Sequence, residues 1–238
     1  MGNKIVNSIF CLALMFVTNE LTSQITIYSE QNYTGTSRVI GIIETSTLPF
    51  NVKSIRVPEG TLVIMANESG CTGLCQYWRN NPGSGRIIGA RGCNITVRRI
   101  DASDARLQIT IKTGNDGLRG GSTALLRYLV NGSGYRSIRV ANNGRSFANN
   151  YTFQQEYPIT GIRIDQILDM ALTFRSSDGS TGLFETTDNW NVDQLLVKYI
   201  SRSYPDGIFL SRGSGAPLVR FTGSNPEYRI AAINSSCN

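Results

Sequence analysis

Short segments in which apolar and polar residues alternate recur along much of the chain, and turn-forming residues separate them. Residues 107–112 alternate in this way, and a run rich in Gly, Asn and Asp follows at 113–122. Similar segments cover 124–130, 135–141, 161–167, 172–175 and 194–200. No long stretch shows the period of a helix. The sequence therefore predicts an all-β protein, and strands at this even spacing are typical of packed sheets.

An apolar run near the N-terminus, residues 9–17, follows a single lysine, Lys4. A basic residue before a short apolar run is typical of a secretory signal peptide. A transmembrane helix needs about 20 apolar residues, so this run is too short for a good anchor. We predict a signal peptide over 1–24, a secreted, extracellular protein and no transmembrane span. A buried N-terminal strand is the alternative.

The cysteines support the same interpretation. One of the five, Cys11, lies in the predicted signal peptide, and an even number remains after cleavage: Cys71, Cys75, Cys93 and Cys237. On a secretory route an even count predicts disulfides, and four cysteines allow three pairings. If all four are paired, one bridge must join Cys237 to the stretch that holds the other three.

Two stretches of the first hundred residues repeat one pattern. In the first, Tyr28 and Tyr33 precede Gly35, and Ser54 opens a later strand. A glycine supplies positive φ at a corner, the rings pack on each other, and the hydroxyl ties the later strand to the hairpin. The second stretch is degenerate, with Met65 in an aromatic position and Cys71 in the other.

This pattern resembles the βγ-crystallin Greek-key motif over residues 25–101. The resemblance implies a Greek-key domain there. Many members of the family bind calcium through a paired Asn/Asp stretch, but residues 49–54 and 91–96 lack the acidic pair. The resemblance therefore implies a first domain that has lost calcium. Some secreted family members look like protease inhibitors or antimicrobial toxins, so those roles stay open.

A polar connector at 100–105 leads to the second predicted domain, 104–238. Its first strand is followed by Thr-Gly-Asn-Asp-Gly at 113–117 and a Gly-Gly-Ser run at 120–122, and Trp190 begins a later Trp-x-x-Asp pattern. The order is similar to that of PLAT/LH2-like, or jelly-roll, β-sandwiches, a family that binds membranes, lipids or proteins. We expect residues 206–223 to add two strands joined by a glycine-rich turn at 213–215.

Four polar residues of this domain could gather at one rim of such a sandwich. Clustered carboxylates and loop carbonyls are what calcium needs, so the candidate ligands are Asn115, Asp116, Asp188 and Asp193. The alternative is that these residues only cap turns. No other cofactor is expected.

The formal net charge is +6, which can favour anionic surfaces such as acidic glycans or lipid headgroups. The basic residues are scattered, and Arg98 and Arg99 form the only adjacent basic pair. Nothing resembles a nucleic-acid-binding arm. The pattern favours a solvated basic surface over a dedicated patch.

The chain contains no histidine, which excludes Ser-His-Asp and Cys-His catalysis and His-ligated zinc. What remains is paired-carboxylate chemistry of the glycosidase type, for which Glu156 and Glu185 are the candidates. No catalytic motif surrounds either one. We therefore expect no enzymatic activity.

Glycosylation is a further expectation if the source is a eukaryote. Asn-x-Ser/Thr acceptor sequences occur at Asn32, Asn67, Asn131, Asn150 and Asn234, and also at Asn94, where a strand should begin.

The leading functional hypothesis is a secreted, non-catalytic recognition protein that binds an extracellular glycan, lipid surface or protein. The alternatives are a secreted protease inhibitor or antimicrobial, toxin-like effector, and a carboxylate-dependent glycoside hydrolase.

Overall fold

The structure, a computed structural model, describes residues 24–66, 71, 73–141, 146–176, 189–222, 224–230 and 235–237. In these ranges the protein is all-β, as the sequence predicts, with sixteen strands in four antiparallel sheets. The two helices described are single 3-10 turns, Gln31–Tyr33 and Ile164–Gln166, and neither is long and apolar enough to cross a membrane. The predicted signal peptide lies outside the described residues except for Gln24, where β1 begins.

Two sheets form an N-terminal sandwich. Sheet I has the strand order β2-β1-β4, and its strands are β1 (Gln24–Tyr28), β2 (Ser37–Gly41) and β4 (Ser54–Arg56). Sheet II has the order β16-β6-β5-β7-β3, and its strands are β3 (Thr45–Thr47), β5 (Thr61–Ala66), β6 (Leu74–Tyr77), β7 (Asn94–Arg99) and β16 (Ser235–Cys237). Strand β3, which follows β2 of sheet I in the chain, belongs to sheet II. The chain therefore crosses between the two sheets.

The other two sheets form a C-terminal sandwich. Sheet III has the order β10-β9-β12-β15, and its strands are β9 (Thr123–Val130), β10 (Gly134–Ala141), β12 (Ile167–Arg175) and β15 (Glu227–Ile230). Sheet IV has the order β11-β8-β13-β14, and its strands are β8 (Arg106–Thr113), β11 (Thr152–Pro158), β13 (Trp190–Ser201) and β14 (Tyr204–Phe221).

Aromatic rings fill the space between sheets III and IV at one end. Trp190 is fully buried, and its ring centroid lies 5.3 Å from that of Phe221 and 6.4 Å from that of Phe174. Rings of this size dominate the energetics of a core. They hold the two sheets together and leave the outer faces of both sheets free for polar residues.

Strand β5 lies between the two sandwiches, which explains its unbroken apolar sequence. Val63 and Met65 pack into the N-terminal core, while Leu62 packs into the C-terminal core together with Trp78. A strand buried on both faces has no polar side to alternate with. The hydroxyl of Tyr204 also donates to the carbonyl oxygen of Arg99 across the junction, at 3.2 Å.

Three sequence-based assignments in the second half are corrected by the structure. The predicted domain 104–238 does not keep its last strand, because β16 pairs with β6 of the N-terminal sandwich. The segment 161–167, predicted as a strand, is a turn followed by the 3-10 turn Ile164–Gln166, because Asp165 turns inward to accept a hydrogen bond from the backbone of Gly60.

The third correction concerns the glycine-rich segment 213–215. It lies within the single long strand β14 and makes a bulge, since Gln194 pairs with Ser214 while Val192 pairs with Val219. A Cβ on Gly215 would lie 2.9 Å from the Cα of Leu218, so a glycine is required for this close approach.

Candidate anion-binding cleft

The outer face of sheet III carries both polar and apolar side chains, and the alternation along each strand places them there. In β9, Ala124, Leu126, Tyr128 and Val130 are buried inward, so Thr123, Leu125, Arg127 and Leu129 face outward. The strand register then sets their neighbours. Leu125 lies between Arg139 of β10 and Thr173 of β12, and Thr123 lies opposite Arg175.

This register gathers three arginines around one cleft of about 430 Å³. Its lining residues are Thr123, Leu125, Arg127, Arg139, Thr173, Phe174 and Arg175. None of these described lining residues carries a carboxylate. The cleft therefore combines three guanidinium groups, two threonine side chains and an apolar floor, which suits a ligand that carries negative charge.

The three arginines differ in their partners. Arg127 Nη1 lies 3.7 Å from Glu227 Oε2, and that carboxylate also faces Arg229, whose Nε lies 2.9 Å from Oε1. The guanidinium groups of Arg139 and Arg175 form no hydrogen bond or ion pair within the described ranges, and both residues are exposed. Two of the three cations are thus available to bind an external anion.

Sequence reasoning missed these residues, and its preference for a solvated basic surface without a patch does not describe this face. Arg127, Arg139 and Arg175 are far apart in the sequence and lie on three different strands. The sequence indicates only that Arg127 and Arg139 alternate with apolar residues. Such a signal assigns a face to each residue but not its neighbour on the next strand.

The predicted calcium ligands lie partly outside the described residues, since Asp188 is not among them. At the rim, Gly114 N donates to Asn191 O at 2.8 Å, and Asn191 N donates to Asp116 O at 2.9 Å. Asn115 Oδ1 accepts a hydrogen bond from Asn191 Nδ2 at 2.7 Å. The turn after β8 therefore packs against the start of β13, and it brings Asn115 and Asp116 to the same rim.

Asp193 lies against the same turn, because a Cβ on Gly114 would be only 2.5 Å from Asp193 Oδ1. Asp116 Oδ2 forms an ion pair with Arg220 Nη2 at 3.9 Å. Within the described ranges, no group of three or more acidic, cysteine or histidine side chains could hold a metal ion. Calcium binding at this rim stays a prediction.

The four residues of the repeated N-terminal motif lie together. The rings of Tyr28 and Tyr33 meet edge to face at 5.8 Å, and Gly35 has φ 77°. Ser54 Oγ accepts a hydrogen bond from Tyr33 N at 3.1 Å and donates one to Glu30 O at 2.5 Å. These contacts connect β4 to the hairpin and form a structural corner.

The structure shows one complete cysteine pair and one further bonded cysteine. Cys71 is bonded to Cys93, with their Cα atoms 5.5 Å apart. Cys75 is also disulfide-bonded. The backbone of β16 pairs with β6 so that Cys237 stands opposite Cys75.

The predicted glycosylation and glycosidase residues lie at separate places. Asn32, Asn131 and Asn150 are exposed, while Asn67 and Asn234 lie outside the described residues. Glu156 lies on sheet IV, and its Oε2 atom is 2.8 Å from Arg106 Nη1.

The second candidate carboxylate, Glu185, lies outside the described residues.

Comparison with known proteins adds little to this description. A search of protein-family models and a search of curated protein sequences both found no match. Among solved structures, the chain is similar to the crystal structure of Abundant Perithecial Protein (APP) from Neurospora crassa, with 15% identity over 77% of this chain and 86% of that one. The TM-score is 0.26, which is too low to carry an argument.

Proposed function

We propose that this protein is a secreted, non-catalytic recognition protein that binds an anionic extracellular ligand through the arginine cleft of sheet III. The observation that carries the proposal is the pair Arg139 and Arg175, whose guanidinium groups have no partner among the described residues, at a cleft whose described lining holds no carboxylate. A free guanidinium can form charge-assisted, bidentate hydrogen bonds to carboxylate, sulfate or phosphate.

Secretion and the absence of catalysis belong to the same proposal. The disulfide between Cys71 and Cys93 is of a kind that persists in oxidising compartments, and it agrees with a signal peptide at 1–24. The absence of histidine from the sequence, together with the ion pair that Glu156 forms with Arg106, supports binding over catalysis.

We also propose that the N-terminal sandwich is βγ-crystallin-like. Its support is the corner formed by Tyr28, Tyr33, Gly35 and Ser54, and the return of β4 to lie beside β1, as the fourth strand of a Greek key does. The same return occurs in the second stretch, where β7 lies beside β5. A PLAT-like classification of the C-terminal sandwich rests on the order of its sequence motifs.

The test is binding of the mature protein to dextran sulfate, with neutral dextran as the reference polymer. We expect saturable binding to the sulfated polymer alone. The double variant Arg139→Gln/Arg175→Gln should lose at least about tenfold in affinity, because each charge-assisted hydrogen bond contributes roughly 1.5–3 kcal/mol.

The matched control is Arg91→Gln/Arg98→Gln, which removes the same charge from exposed positions of the N-terminal sandwich. It should bind dextran sulfate nearly as well as the wild-type protein. Equal losses in the two double variants would show attraction by net charge alone and would refute the cleft as the site.

A further inference from the structure

The outward-facing row of sheet III continues past the arginine cleft along β10. Tyr135, Ser137 and Arg139 are spaced two apart and are all exposed, and they stand opposite Leu129, Arg127 and Leu125 of β9. One face of the sheet therefore carries the cleft at one end and a tyrosine at the other.

Tyr135 is 55% exposed, and the Arg127 guanidinium carbon lies 4.9 Å from its ring centroid. A cation over one ring face holds that ring in place. Its strand, β10, is an edge strand of sheet III in the described ranges, which leaves more than half of the residue exposed. An exposed ring on the same sheet face as two cations that are unpaired in the described ranges is a platform on which a planar or ring-shaped ligand group can stack.

The spacing requires a long ligand. Tyr135 and Arg139 are four residues apart on one strand, which is about 13 Å at roughly 3.3 Å per residue. Arg175 lies two strands away from Arg139 and is offset by two residues, which is about 12 Å at roughly 4.8 Å per strand and 3.3 Å per residue. A single small anion cannot contact the tyrosine and both free arginines together, whereas an extended chain with repeated rings and charges can.

We propose that the ligand is an acidic polysaccharide, with a sugar ring stacked on Tyr135 and its sulfate or carboxylate groups bound by Arg139 and Arg175. The proposal rests on the anion-binding function above and names its ligand class. Charge complementarity and the aromatic platform favour this ligand over a membrane. The other large apolar side chains that are well exposed in the described ranges lie elsewhere: Val39, Ile43 and Leu74 in the N-terminal sandwich, and Tyr151 beyond sheet III.

The experiment measures binding of a heparin-derived disaccharide, tetrasaccharide and octasaccharide by calorimetry. We expect affinity to rise at least about tenfold from disaccharide to octasaccharide. Tyr135→Ser should lower octasaccharide affinity about fivefold, since an aromatic contact contributes roughly 0.5–1.5 kcal/mol. Tyr135→Phe should match the wild-type protein, because it keeps the ring.

Three controls separate the possible outcomes. Inorganic sulfate binding should be unchanged in Tyr135→Ser, which also tests that the cleft is intact. Vesicles that contain phosphatidylserine should bind more weakly than the octasaccharide. Neutral dextran should not bind.

Failure of this inference is distinguishable from failure of the proposed function. If Arg139→Gln/Arg175→Gln weakens dextran sulfate binding but affinity is independent of oligosaccharide length or of Tyr135, the cleft binds anions and the polysaccharide assignment is wrong. Tighter binding to vesicles than to the octasaccharide would also overturn it, in favour of a lipid headgroup. If the wild-type protein binds no polyanion, both proposals fall.

Discussion

Three tyrosine side chains, Tyr77, Tyr199 and Tyr204, are almost fully buried. Burial raises the pKa of each phenol above its ordinary value, because the phenolate would lose its hydration. The hydroxyl of Tyr199 donates to Ile162 O at 3.1 Å. The folded protein therefore holds these groups neutral at a pH where the unfolded chain would ionise them.

This burial predicts a loss of stability in alkali. Because the pKa of each phenol is raised in the folded state, its contribution to the free energy of unfolding is fully present below the unfolded pKa of about 10. That contribution is lost as pH rises above this value. Urea unfolding at pH 9 and pH 11 should show a smaller loss for Tyr204→Phe than for the wild-type protein. Tyr135→Phe, at an exposed position, should show the wild-type loss, and equal losses in all three proteins would contradict the explanation.

At this scale the sequence predicts the contacts that are local and misses those that depend on register. Tyr28, Tyr33 and Gly35 lie within eight residues, so one hairpin brings them together. Arg139 and Arg175 become neighbours through β9, and only the pairing of three strands determines that. A sequence that shows which face a residue occupies does not show which residue stands opposite.

The 3-10 turn Ile164–Gln166 links the two sandwiches through one carboxylate. The side chain of Asp165 is 2% exposed, and its Oδ2 atom accepts a hydrogen bond from Gly60 N at 2.7 Å. Its Oδ1 atom accepts one from Arg163 Nε at 3.0 Å, and Arg163 also pairs with Glu59. The alternation of residues 161–167 predicts a strand at this place. The prediction fails because the hydrogen bond to Gly60 is long-range and leaves no signal in the local sequence.

Asp165→Ala should therefore destabilise the protein by about 3 kcal/mol, since it leaves a buried backbone donor and a partly buried guanidinium without their acceptor. Urea denaturation measures this change. Asp206→Ala, at an exposed position, is the matched control and should change stability by less than about 0.5 kcal/mol. A similar small effect from both substitutions would show that the sandwiches dock without the carboxylate.

At the scale of the whole molecule, ligand binding should depend on salt and not on pH. The sequence has a net charge of +6 and no histidine, so nothing in it has an ordinary pKa between pH 5 and 8 except terminal groups. Guanidinium groups stay protonated in that range, as sulfate esters stay ionised. Dextran sulfate affinity should be constant from pH 5 to pH 8 and fall as sodium chloride is raised. A binding midpoint near pH 6.5 would contradict the arginine cleft.

The last described strand, β16, connects the C-terminal sandwich to the N-terminal one. Strand β16 pairs with β6 so that Cys237 stands opposite Cys75, and Cys75 is disulfide-bonded. With Cys71 bonded to Cys93, we expect the second bridge to be Cys75–Cys237, which satisfies the sequence-based requirement that one bridge reach Cys237. Peptide mapping of the mature, non-reduced protein checks this pairing, and a Cys75–Cys71 or Cys75–Cys93 peptide would refute it.

The two bridges should differ in their effect on stability. The expected Cys75–Cys237 bridge would close a loop of well over a hundred residues, to which the chain-entropy model assigns about 4–5 kcal/mol, against about 3 kcal/mol for the short loop between Cys71 and Cys93. Replacing both members of a bridge with serine leaves no free thiol to exchange. Urea unfolding should then rank Cys75→Ser/Cys237→Ser below Cys71→Ser/Cys93→Ser, and the reverse order would show that packing of β16, rather than chain closure, joins the two sandwiches.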